Sequence, residues 1–123
     1  MRYLIMIQSN PRSREVFERL TGEQRRDFGR DHVALTDELI GSGELVHSEG
    51  LPDPATSTWV SVRDGQTLTS DGPYAEAKEY LAGFYLVDCE SLERAVEIAA
   101  RVPDALTGAV EVRPVYDVRQ LDL

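Results

Sequence analysis

Two short segments constrain this chain more than any other feature, because each is apolar on both of its faces. Residues 2–8 place Tyr3, Ile5 and Ile7 on one side of an extended chain and Leu4 and Met6 on the other. Residues 84–87, Phe-Tyr-Leu-Val, follow Gly83 and form the strongest strand signal in the sequence. Strands of this kind belong at the centre of a sheet covered on both sides. A chain of 123 residues makes one domain, residues 1–123, with one modest core, so it cannot cover both faces itself. Helices are expected on one face and a second copy of the chain on the other.

Periodicity places the other elements around that sheet. Residues 9–14 carry Pro11 and read as a loop, followed by a short helical turn over residues 15–20. Thr21 has the marks of an N-cap, with Gln24 three residues later and Glu23 in the first turn. The helix it opens runs to Ile40 and ends at Gly41-Ser42-Gly43. Phe28, Leu35 and Leu39 share one stripe of that helix, and His32 falls on it too, facing the sheet. Residues 44–50 read as a strand and residues 51–54 as a loop. Residues 58–63 form a strand that turns at Asp64-Gly65 into residues 66–69. Trp59, the only tryptophan, is expected in the core or in an interface. After a strand at residues 83–88, Ser91 caps a helix with Leu92, Ala95, Val96 and Ala99 on its buried stripe, and Pro103 stops it. The helix carries nothing that suggests chemistry. Residues 109–118 supply the last strand, where Pro114 marks an edge or a bulge.

Charge and composition remove several function classes. The net charge of −9 opposes nucleic acid and anionic membranes as partners, since both require clustered Lys and Arg. The early arginines alternate with acidic residues and read as a solvated face. No apolar run approaches a membrane span and the chain opens on a strand pattern, so a cytoplasmic protein is expected. Cys89 is the only cysteine, which excludes an internal disulfide; it is expected as a small core hydrophobe. No metal-ligand spacing, Gly-rich phosphate loop or serine nucleophile elbow is present, so neither a metal nor a cofactor is expected. His47 sits among polar residues beside a turn and is expected at the surface or a pocket rim.

One polar stretch stands apart. Asp71-Gly72-Pro73 is a tight turn, and Tyr74, Glu76, Lys78, Glu79 and Tyr80 follow it just before the Gly83 strand. This run, with Gly83-Phe84-Tyr85-Leu86, the start Met1-Arg2-Tyr3-Leu4-Ile5-Met6-Ile7 and the end Val110-Glu111-Val112-Arg113-Pro114, resembles the DGPF branch of the YCII-related family. Tyr74 stands where that branch usually has Phe. The resemblance spans nearly the full chain. It implies an α+β, ferredoxin-like sandwich with an antiparallel sheet and two main helices on one face, paired as a homodimer into a dimeric α/β barrel. It also implies a pocket lined by a histidine on the first helix, the place of His32.

A histidine on an apolar stripe suits a packed core, but in such a pocket it can move a proton, since imidazole changes charge near neutral pH. Asp71 or Glu76 is its expected carboxylate partner. His32 and Asp71 are the candidate catalytic residues, and Tyr74, Glu76 and Lys78 the candidate substrate contacts, Lys78 neutralising an anionic group. The same residue types also make an ordinary solvated turn. The expected function is a small cofactor-independent enzyme working on a small organic molecule by acid–base chemistry of the lyase, isomerase or dehalogenase type. Barrels related to the family include one that removes halide from a chlorinated aromatic compound. The rival is a non-catalytic ligand-binding or regulatory protein, since genes of DGPF-type proteins often neighbour those of extracytoplasmic-function sigma factors. An enclosed polar cavity at His32 favours the enzyme, and an exposed apolar patch with His32 packed in hydrocarbon favours the rival.

Overall fold

The computed structural model describes residues 1–71 and 78–120. Four strands, β1 (Arg2–Ser9), β2 (Leu45–Gly50), β5 (Tyr80–Asp88) and β6 (Val110–Pro114), form an antiparallel sheet in the order β2-β5-β1-β6. The two doubly apolar strands are the central pair, as their composition requires. The register sets Ile5 opposite Tyr85 on one side and Val112 on the other, and Tyr3 opposite Val87. These side chains meet the helices α2 (Gly22–Ser42) and α3 (Leu92–Ala100) in one core with Leu35, Leu39, Ala95 and Ile98. Connections of β1 through α2 to β2, and of β5 through α3 to β6, make the ferredoxin-like topology.

Local chemistry sets the helix ends. Thr21 and Gln24 exchange side-chain and backbone hydrogen bonds at the start of α2, and Gly43 closes it in the left-handed region at φ 79°. An additional helix, α1 (Pro11–Glu18), occupies what Pro11 suggested was a loop. Asn10 and Ser13 form a second capping box, and Pro11 sits at the helix start, where its missing N–H costs nothing. The buried stripe of α3 is Ala95, Ile98 and Ala99, continued by Val102. Leu92 and Val96, expected inside, are about half exposed. Arg94 and Glu44 tie the helix layer together through two hydrogen bonds of 2.8 and 2.9 Å, which hold the Glu44 carboxyl down at about 2. The last strand ends at Pro114, where only β1 is paired with it, as an edge proline demands.

The strands β3 (Trp59–Arg63) and β4 (Gln66–Ser70) are not part of the main sheet. Among the described residues they pair only with each other, across Asp64 (φ 51°) and Gly65 (φ 76°), and every residue in them is exposed. Trp59 is 58% exposed, so its packing within one chain is not in the core. The sheet face away from the helices carries the cross-strand pairs Leu4 with Leu86 and Met6 with Phe84, none of which joins the helix-side core.

Candidate functional site

The stripe that puts Leu35 and Leu39 into the core carries His32 over β5. There its Nδ1 lies 2.7 Å from the Tyr85 hydroxyl and its Nε2 lies 2.8 Å from Oδ1 of Asp104. A carboxylate can only accept, so Nε2 carries the proton given to Asp104, and Nδ1 accepts from the Tyr85 O–H. The Phe28 ring stands edge-on to the imidazole with centroids 5.1 Å apart, and the Thr36 hydroxyl bonds the His32 carbonyl at 2.8 Å. Burial holds the Tyr85 phenol above its ordinary range; a nearby Thr36 hydroxyl opposes that and the Asp104 charge adds to it. The phenol is therefore a neutral donor at physiological pH.

Asp104 reaches this position from the 3₁₀ turn Pro103–Thr107, which follows α3. Its carbonyl accepts from the Thr107 hydroxyl at 3.0 Å, and Gly108 at φ 69° turns the chain into β6. His32, Tyr85 and Asp104 line a cleft of about 440 Å³ between α2 and the end of the sheet, bordered by Ser48, Glu49 and Gly83. The β1–β5 register slips between Ile7 and Gln8, leaving Ala82 outside the pairing, and Ile7, Ala82 and Gly83 all border the cleft. Close approach of strands explains Gly83 itself, because a Cβ there would come within 2.9 Å of the Glu49 carbonyl oxygen. With both ring nitrogens held, the imidazole has one tautomer, one orientation and a proton chain from Asp104 to Tyr85.

The carboxylate on His32 is thus Asp104 and not Asp71, which is exposed just past β4 and makes no hydrogen bond to His32. Tyr74 and Glu76 lie outside the described residues. Lys78 is exposed, and its carbonyl accepts from Arg14 at 2.8 Å. His47 is largely exposed and pairs with Glu49 at 3.3 Å, a surface position. Cys89 is buried at the end of β5, its thiol 3.4 Å from the Ser91 carbonyl. Tyr85 could have been found in the sequence by its inward register on a central strand. Asp104 had no such signal, since a Pro-Asp turn after a helix reads as punctuation. Among the described residues no cluster of His, Cys, Asp and Glu could hold a metal ion, and no helix is long and apolar enough to cross a membrane.

Fold and cleft together define a ferredoxin-like α+β protein with a histidine–carboxylate pair between helix and sheet. The chain belongs to the YCII-related domain family, whose model matches residues 1–119. It is 38% identical over 87 residues to an uncharacterized protein of Rhizobium meliloti, covering 69% of this chain and 70% of that one. Among solved structures it is similar to a 5-chloro-2-hydroxyhydroquinone dehydrochlorinase of Burkholderia phenoliruptrix in complex with 2,5-dihydroxybenzoquinone. That match has a TM-score of 0.53 and 18% identity and covers 99% of this chain and 100% of the other, a likeness of fold.

Proposed function

We propose that the protein is a small acid–base enzyme for an organic substrate bound in the His32 cleft. One observation carries this reading: an imidazole held at both nitrogens, between Asp104 and Tyr85, on the wall of a cleft large enough for a small ligand. A substrate proton passes to the Tyr85 oxygen as the phenol hands its own proton to Nδ1, and Asp104 stabilises the imidazolium that results. Return of the proton to another atom of the substrate gives isomerisation; loss of a leaving group from the carbanion gives elimination. The dehydrochlorinase with the similar fold is one protein of this architecture that acts on a small molecule. The sequence Asp71-Gly72-Pro73-Tyr74 supports placement in the DGPF branch.

A homodimer is part of this proposal. Leu4, Phe84 and Leu86, partly exposed around the buried Met6, form an apolar patch on the sheet face opposite the helices, suited to a second copy of itself. A ligand-binding regulator is the second reading, favoured by the exposed Trp59, Val60 and Val62 of the hairpin, a surface for a protein partner. Deuterium exchange at acidic C–H positions of a panel of small diketones and hydroxyquinones, followed by NMR, separates the two. The enzyme accelerates exchange and His32→Ala lowers the rate by about 10²–10⁴; a folded protein that binds members of the panel without exchanging any of them is the regulator.

A further inference from the structure

The cleft does not end at His32. Ile7, Phe28, Ala82 and Asp104 also border a second lobe of about 610 Å³, walled by Phe17, Leu51 and Leu106 and closed by α1. Its walls are mostly apolar; the charged groups on them are the carboxylates of Glu18 and Asp104 and one cation, Arg14. Arg14 is half-buried, and its guanidinium is fixed on three sides: Nη1 donates to the Ser9 hydroxyl at 3.0 Å, Nη2 donates to the Lys78 carbonyl at 2.8 Å, and the group lies over the Tyr80 ring at 5.2 Å. Each of these partners is neutral. Arg19, Arg30, Arg94, Arg101, Arg113 and Arg119 pair with carboxylates; Arg14, like Arg2, Arg12, Arg25, Arg26 and Arg63, has none within salt-bridge distance among the described residues, and of these it is the one that lines the lobe.

A guanidinium has five N–H donors in a rigid fork, and its charge, once half-buried, is stabilised most by a carboxylate. Among the residues that line the lobe Arg14 is the one cation, beside the carboxylates of Glu18 and Asp104, and an anionic ligand requires such a group. We infer that Arg14 is the anion-binding group of an extended cleft that takes a small organic carboxylate. The carboxylate sits on the remaining N–H groups of Arg14, its apolar body fills the lobe between Phe17 and Leu51, and the far end of the ligand reaches the waist where Asp104 and His32 stand. This substrate class rests on the reading of the His32 cleft as a ligand site, and it assigns to Arg14 the charge recognition that the sequence suggested for Lys78.

The test is a two-dimensional ¹H–¹⁵N NMR titration of the full chain with benzoate and with benzamide, which share a shape and differ in charge. Benzoate binds at least about tenfold more tightly, a difference of about 1.4 kcal/mol, with shifts at Arg14 and Phe17. Arg14→Gln abolishes the preference and Arg14→Lys keeps part of it. Equal binding of the two probes, no benzoate binding up to millimolar concentrations, or an unchanged preference in Arg14→Gln overturns the assignment. The wild-type comparison decides by itself if the Arg14 variants do not fold. A benzoate preference without proton exchange on any substrate removes the acid–base reading and leaves the subsite; exchange without the preference does the reverse.

Discussion

Nε2 of His32 lies 2.8 Å from Oδ1 of Asp104, a residue 72 positions further along the chain. The contact joins the middle of the longest helix to the turn after α3, and it decides which imidazole nitrogen carries the proton. Asp104→Asn removes that preference, since an amide can donate as well as accept. Imidazole ¹⁵N shifts report Nε2–H in the wild type and a mixture of tautomers in the variant, and proton exchange on the diketone panel falls by about 10- to 100-fold. An unchanged shift pattern would show that Asp104 does not set the tautomer.

Tyr85 holds the other nitrogen. Tyr85→Phe leaves the ring in the core and removes only the hydroxyl, so denaturant unfolding should show a loss of about 0.5–1.5 kcal/mol. Nδ1 then lacks a donor, and its ¹⁵N resonance moves towards that of an acceptor without a partner. A variant of full stability with an unmoved resonance would separate Tyr85 from His32.

Gly83 sets how closely β2 lies against β5. A methyl group there meets backbone of Glu49 at 2.9 Å and Gly50 at 3.4 Å, atoms that cannot rotate away. Gly83→Ala is expected to cost about 1–3 kcal/mol by forcing the strands apart, and to open the cleft at Glu49. Retained stability together with unchanged amide shifts in β2 would contradict the close approach.

Glu44 gives the acid limb of stability. Its carboxyl is held at about 2 by the Arg94 hydrogen bonds, below an unfolded value of 4.5. A depressed folded value means that the stabilisation is complete above the unfolded value and disappears as pH falls from 4.5 through about 2. Melting curves over that window should show a steep loss for the wild type and a shallower one for Glu44→Gln, which starts from lower stability. Parallel losses in both proteins would assign the acid limb to other carboxylates.

On the open sheet face, Leu86 pairs with Leu4. Leu86→Glu buries a charge in the proposed interface, so light scattering should report a dimer for the wild type and a monomer for the variant. A wild-type monomer at micromolar concentration would remove the shared-sheet assembly.

Elements whose causes lie within a few residues are legible in the sequence. Thr21 with Gln24, Gly43 behind Ser42, and Asp64-Gly65 between two alternating strands act through hydrogen bonds and backbone conformations that span one turn. The double-sided patterns of β1 and β5 likewise put both at the centre of the sheet. The sequence misleads where two local rules compete. Pro11 signals a loop but also opens helices, and Asn10 with Ser13 tips it to the second. Leu92 and Val96 fit the period of α3 as well as Ile98 does, and only the angle at which the helix meets the sheet selects between the stripes.

The sequence by itself determined that this chain is a helix-backed antiparallel sheet and that His32 turns its ring towards it, because side-chain period and capping chemistry are properties of neighbouring residues. Only the tertiary structure decided that Asp104 and Tyr85, rather than Asp71, hold that ring, and that Arg14 lines the lobe next to it. Those meetings depend on how the segment after α3 and the helix after β1 pack against the ends of the sheet. Contacts between residues so far apart in the chain are fixed by the shape of the whole core and leave no periodic trace along it.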